Sequence, residues 1–361
     1  MISVRRGTVI EVLAKRTGLT EVEVELEGDV FAALNYDDLT GDIRAGDEVL
    51  LNTTALELEL GTGGKHIVLW NLRHGEISSP QPGHIMKLRY TPLQIKCLSV
   101  EEQESPHHQM LQEKPDLQGM PVIVGTLHSQ LPAVALTIKK VSPETKIAYI
   151  MTDGGALPLA FSNLVHELKG RGAIDITITV GHAFGGDLEA VNVYSGLMAV
   201  KVVAHADVAL VVMGPGIVGT DTSLGFSGVE QGGIINAVGV LKGTPIAIPR
   251  VSFKDKRPRH RGVSHHTLTA LSLTALVPCI IPIPRMPDEK MNTVLRQLRE
   301  GGVAAKHQIE VIDNDVTLGV LEDSGLEITT MGRTVCEDPE FFQTAGTSGL
   351  YAVKILRELA T

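Results

Sequence analysis

Cysteine, aromatic residues and long uncharged apolar runs are all scarce in this chain of 361 residues. Its three cysteines, Cys97, Cys279 and Cys336, lie far apart with no CxxC pair. That spacing excludes a disulfide scaffold and a structural zinc ribbon, and it fits a reducing compartment. Aromatics make up 4% with one Trp, so platforms for stacking nucleic-acid bases are few. The nearest approach to a membrane span, Gly262 to Pro284, is broken by His265, His266 and three prolines. The opening residues, Met1-Ile2-Ser3-Val4-Arg5-Arg6, offer no apolar signal region. Positive charge is also in deficit, with 32 Lys and Arg against 42 Asp and Glu, a net charge of −10. A cytoplasmic protein is expected, with neither a membrane nor nucleic acid as partner.

What is present is a hydrophobic content of 43%, enough for large cores, and 37 glycines gathered in a few loops. The length predicts roughly two domains at ~150 residues each. Residues 1–75 are acidic, with seven Lys and Arg against thirteen Asp and Glu. Within them Glu21 to Glu27 alternates with period two, placing Val22, Val24 and Leu26 on one face and four glutamates on the other. Gly28-Asp29 marks a turn, and Gly61-Thr62-Gly63-Gly64 separates two more apolar runs. Short strands with glycine turns predict a small β-barrel of OB or SH3 type over 1–75, suited to docking or oligomerisation. Residues 76–118, rich in Pro, Gly, Gln and His, read as a connector.

From Pro121 the pattern changes. Apolar, β-branched runs begin near 121, 146, 174, 207, 244 and 277, spaced like βαβ units. Helices are expected over 131–140, 158–169, 188–203, 229–241 and 267–276, with a last one at 349–359 after a strand at 308–312. The fold expected over 119–361 is a doubly wound, Rossmann-like α/β domain with a mostly parallel sheet and a C-terminal extension.

Ligands of such sheets bind outside the carboxyl ends of the strands. The loops at those ends are Gly-rich or polar and carry His, Asp or Glu, whereas the loops at the opposite ends look like plain helix ends. This asymmetry places a site on one rim. Its expected catalytic residues are His182, His265, His266, Asp153 and Glu230. Gly154 and Gly155 follow the second strand, and Gly185 and Gly186 the third; both pairs are expected at the ligand. Gly214, Gly216 and Gly219, with Asp221 and Ser227, form the next ligand-binding loop. Their G-x-G-x-x-G spacing follows the wrong strand for a dinucleotide fingerprint and fits an anion cradle better. Ser227 lacks the second glycine of a nucleophile elbow, so a serine hydrolase is not expected.

The loop from Arg250 to Arg261 holds six Lys and Arg against one Asp. Arg257, Arg259 and Arg261 are expected to hold a phosphate or carboxylate, the alternative being a solvated loop or one docked on an acidic neighbour. Ser264 reads as a helix N-cap that puts His265 and His266 in the first turn. Neighbouring helical positions diverge by ~100°, so the two are not expected to share one metal. A divalent metal, the one cofactor suggested, would be held by His182, Asp187, His260 and His265; histidine hydrogen bonding in a loop is the alternative.

Together, RRGTV, NYDDLTGDIRAGDEVLLNTTA, TDGGALPLAFS, GHAFGGDLEAVNV, MGPGIVGTDTSLGFSGVEQG, RHRGVSHHTLTAL and TTMGR resemble an uncharacterised bacterial family of unknown function, from about residue 3 to about 355. The resemblance implies a bacterial cytosolic protein of two parts and brings no catalytic residues with it. Three functions follow from the residues. The first is a hydrolase or group transferase acting on a small phosphorylated or carboxylated metabolite. The second is a ligand sensor whose barrel binds a partner. The third is a homo-oligomeric scaffold held by its basic loop.

Overall fold

The computed structural model describes residues 2–58, 63–78, 82–113 and 116–360. They form two compact units, Met1–Cys97 and Leu98–Thr361. The residues expected as a connector divide between them. Gly61 and Thr62 of the expected turn lie outside the described residues.

In the first unit the period-two alternation builds strands β1 (Val4–Arg16), β2 (Leu19–Leu26), β3 (Asp29–Asn35), β4 (Glu48–Asn52) and β5 (His66–Asn71). They close into a barrel in the order β1-β2-β3-β5-β4, and β3 and β5 run parallel. Val22 and Val24 point inward and pack with Val9, Ala33, Val49, Leu51 and Val68.

The second unit is built on an eight-stranded sheet: β6 (Pro121–Val124), β7 (Ile147–Thr152), β8 (Ile176–Val180), β9 (Leu188–Ala190), β10 (Val208–Met213), β11 (Thr244–Ala247), β12 (Ile280–Pro284) and β13 (Gln308–Ile312). Their order is β9-β8-β7-β10-β6-β11-β12-β13, with every neighbouring pair parallel. Every residue of β6, β7 and β10 is buried, as a sheet covered on both faces requires.

The helices that follow the strands of this sheet include α1 (Leu131–Val141), α2 (Asn163–Gly170), α3 (Val193–Val202), α4 (Glu230–Val240), α5 (His265–Thr269), α6 (Asp288–Glu300), α7 (Thr317–Ser324) and α8 (Pro339–Leu359). One face of the sheet, with Val122, Ile150 and Val211, packs on α3, α4 and α6 through Leu197, Ile235 and Leu298. The other, with Ile123, Tyr149 and Leu210, packs on α1, α2, α7 and α8 through Val134, Leu168, Leu321 and Phe342. The doubly wound α/β arrangement and the small barrel agree with the reading of the sequence. Among the described residues no helix is long and apolar enough to cross a membrane.

This winding shapes one rim of the sheet. The loops after β6 and β7 lead to helices on one face, and those after β10 and β11 to helices on the other. Neighbouring strands in the run β7-β10-β6-β11 therefore send their chains apart, which opens crevices at their carboxyl ends.

Local departures from the expected helices have physical causes. The segment expected as one helix over 188–203 begins as edge strand β9, paired to β8. The helix starts only after Asn192, whose side chain accepts from Tyr194 N and Ser195 N. Helix α6 was not expected, because it buries only Val294 and Leu298 and nine of its thirteen residues are polar. Helix α8 starts at Pro339, well before Gly349.

Candidate functional site

The loops after β7 and β10 meet backbone to backbone. Ala156 N donates to Pro215 O (2.8 Å). A Cβ on Gly155 would lie 2.4 Å from the Gly214 carbonyl oxygen, and one on Gly214 would lie 2.6 Å from Ala156 O. Those two positions are glycine because nothing larger lets the loops touch. Gly216 has another reason: its φ is +101°, and open space stands where a side chain would be. Beside it lies a cavity of about 290 Å³ bounded by His128, Ser129, Gly214, Gly216 and Met331, among others.

Glu230, the first residue of α4, reaches from the end of the β10 loop to the end of β7. Its Oε1 accepts from Thr152 Oγ1 (2.6 Å) at the end of β7. Its Oε2 faces Gly154, whose Cβ would lie 3.0 Å away. Burial pushes the Glu230 carboxyl up to about 7 against the hydrogen bond from Thr152, and the charge of Asp153 pushes the same way. Asp153 is exposed, and its Oδ2 accepts from His182 N (2.9 Å). Asp153, Gly154, Gly155, Gly214 and Glu230 thus gather in one place. Ser227 Oγ accepts from Val218 N (3.1 Å) and holds the long loop in shape.

His128, not among the residues expected at the site, lies on the wall of the cavity. Its Nδ1 is 3.2 Å from the Met213 carbonyl oxygen and its Nε2 is 2.7 Å from Ser162 Oγ. A carbonyl only accepts, so Nδ1 carries the proton and the Ser162 hydroxyl donates to Nε2. Burial pushes His128 down to about 4, opposed by the bond to Met213. The residue is a neutral tie between the loop after β6 and the start of α2. Its position directly after a buried strand was the one available signal.

The residues after β8 serve a different purpose. Asp187 accepts from Lys169 Nζ (2.5 Å) and from Thr177 N and Oγ1 (both 2.8 Å). Gly185 N donates to Glu189 Oε1 (2.7 Å), and Gly186 N to Thr179 Oγ1 (3.1 Å). These bonds pin the edge of the sheet. The expected grouping of His182 and Asp187 with His260 and His265 does not form. Strands β7, β10 and β6 stand between β8 and β11, a span of roughly 19 Å at ~4.8 Å per strand.

Three of the six basic residues of this loop pair with carboxylates of the same chain. Arg257 donates to both oxygens of Asp255 (3.0 and 2.9 Å), and buried Arg250 donates to the same carboxylate (2.9 Å). Arg259 pairs with Asp221 at 2.6 Å. Arg261 is exposed and borders, with Lys254 and Lys290, a cavity of about 560 Å³ beside α6.

That loop also assembles three histidines. Ser264 caps α5 by accepting from His266 N (3.2 Å), and its Oγ lies 2.7 Å from Nδ1 of buried His260. The rings of His265 and His266 lie 4.2 Å apart and do not diverge as adjacent helical positions were expected to. His260 meets both, at 4.8 and 4.9 Å between centroids, while Phe226 stacks on His266 at 3.9 Å and 5°. Packing between these two neighbours folds the pair together. One ring nitrogen from each histidine lies within 4.8 Å of the others. Among the described residues no other group of three potential metal ligands occurs.

Burial lowers all three imidazoles, and nearby arginines add to it: His260 falls to about 3, His266 to about 4, and His265 below its ordinary value. His260 and His266 are neutral at pH 7.

A family model described as a protein of unknown function (DUF3866) matches residues 32–349, most of the chain. No curated protein matches it.

Proposed function

The chain belongs to the DUF3866 family of proteins of unknown function, and we propose that it is an enzyme, a hydrolase or group transferase, acting on a small phosphorylated or carboxylated metabolite at the carboxyl ends of β6, β7 and β10. The observation that carries this reading is Glu230. A carboxyl group near 7 is about half protonated at neutral pH, the condition under which it gives or takes a proton most effectively. Thr152 engages Oε1 and orients the group, while Oε2 faces the Gly154 turn. The cavity beside Gly214 and Gly216 supplies room for a small ligand, and the backbone amides of that turn are the groups an anion would meet.

A thermal-shift screen of phosphorylated and carboxylated metabolites, followed by steady-state kinetics on whatever binds, tests the proposal. Glu230→Gln is expected to keep binding within a few fold and to lose ~10²–10⁴ in kcat. The wild-type kcat profile is expected to bend near pH 7. Unchanged turnover in Glu230→Gln would overturn the assignment. Tight binding without turnover by the wild type would replace the enzyme with a ligand sensor.

A further inference from the structure

The loop after β11 carries a second constellation, which the Glu230 reading does not use. We propose that His260, His265 and His266 bind a divalent transition metal of the zinc class, leaving a fourth position for water or an anionic ligand.

Four observations carry this. The ligand nitrogens converge within 4.8 Å, and a tetrahedral site with ~2.0–2.1 Å bonds draws such atoms to about 3.3 Å, within reach of small ring rotations. His265 Nε2 and both ring nitrogens of His266 are buried without a hydrogen-bond partner. A polar atom in that state costs free energy, and ligation to a metal removes the cost. The partner of His260 is also what a ligand needs. With Nδ1–H donating to Ser264 Oγ (2.7 Å), the lone pair of Nε2 is left for the ion. Finally, Phe226 stacked on His266 fixes that ring in place.

Charge nearby does not forbid a cation. Arg250 and Arg257 share Asp255, and Arg259 pairs with Asp221. Three nitrogen donors without a carboxylate or thiolate select against magnesium and calcium and toward zinc, cobalt, nickel or copper. Three protein ligands also match the open sites in which zinc holds a reactive water, where structural sites have four.

The test uses the full chain, stripped with a chelator and titrated with Co²⁺ and then Zn²⁺. One equivalent of Co²⁺ is expected to bind, with visible ligand-field absorption of the intensity of a low-coordinate site, displaced by Zn²⁺ and accompanied by a rise in Tm. His265→Ala and His266→Ala are each expected to weaken binding by ~100-fold or more, exceeding what changes outside the ligand shell cause. Asp187→Asn, on the far edge of the sheet, is expected to leave affinity within twofold. Circular dichroism checks the fold of each variant, and because His260 is the most buried of the three, the conclusion rests on the other two. Absence of a bound equivalent in the wild type, or unchanged affinity in both alanine variants, would overturn the site. Binding is read without turnover, so failure here leaves the Glu230 assignment untouched, and the reverse also holds.

Discussion

Glu230 and Asp255 are both carboxylates that burial alone would raise, yet they end on opposite sides of their ordinary range. Glu230 has one hydroxyl donor, Thr152, and an acidic neighbour, so burial prevails and its carboxyl reaches about 7. Asp255 is buried too, but hydrogen bonds from Arg257 and the charges of Arg257 and Arg250 hold it well below the usual carboxylate range. Each makes a prediction. The stability that goes with protonated Glu230 is fully present below its ordinary 4.5 and is lost as pH rises through about 7, a change of ~3 kcal/mol. Glu230→Gln does not titrate, so in urea unfolding it should gain on the wild type by about that amount between pH 4.5 and pH 8. A gap that stays constant with pH would contradict the burial of this group. Asp255→Asn should lower stability by ~3–5 kcal/mol, because Arg250 is left buried without its countercharge. A loss under ~1 kcal/mol would contradict the role of Asp255 as the countercharge of buried Arg250.

Two adjacent glycines in α4 separate the effects of helix propensity from those of packing. Gly233 is exposed with nothing within 4 Å of where a Cβ would stand, whereas a Cβ on Gly232 would lie 2.0 Å from Thr274 Oγ1 and 2.6 Å from Ala275 N. Gly233→Ala should therefore stabilise the protein by ~0.5–1 kcal/mol. Gly232→Ala should destabilise it by ~1–3 kcal/mol, as the π-helical turn over 270–274 is pushed away. Thermal unfolding of the pair checks both signs. The same contrast explains what was legible. Buried parallel strands are continuous apolar runs, so β6, β7 and β10 stand out in the sequence. Gly346 and Gly349 read as helix breakers, yet they are seams: a Cβ on Gly346 would lie 2.0 Å from Thr317 Oγ1, and one on Gly349 3.0 Å from Val134 O. The first half of α8 was hidden for that reason. The site was legible as a rim, because parallel strands aim their loops the same way. Its partition was not, because strand order has no local signature. A sequence cannot reveal that Asp187 and His265 stand at opposite ends of the run from β9 to β11, or that Phe226 will fold two adjacent histidines onto a third.

At the scale of the whole molecule, the position of β6 has a consequence in time. This first strand of the sheet lies between β10 and β11 and beside neither β7 nor β8. A ribosome releases the chain from its amino end at ~5–20 residues per second, so the roughly 80 residues between Val124 and Val208 take about 4–17 s to appear. The barrel strands are complete before β6 is made, and β7 can pair with β8 as soon as Val180 emerges. Through that interval β6, apolar on both faces, has no edge to join. Stalled nascent chains that have exposed residues up to about 200 should be cut by protease near residues 121–124, and chains that have exposed β10 and β11 should resist. Protection arriving with β7 would mean that a non-native pairing forms first. The strand order that opens crevices at the rim also makes the first strand of the sheet wait for the fifth, and exposes this chain to aggregation in the interval.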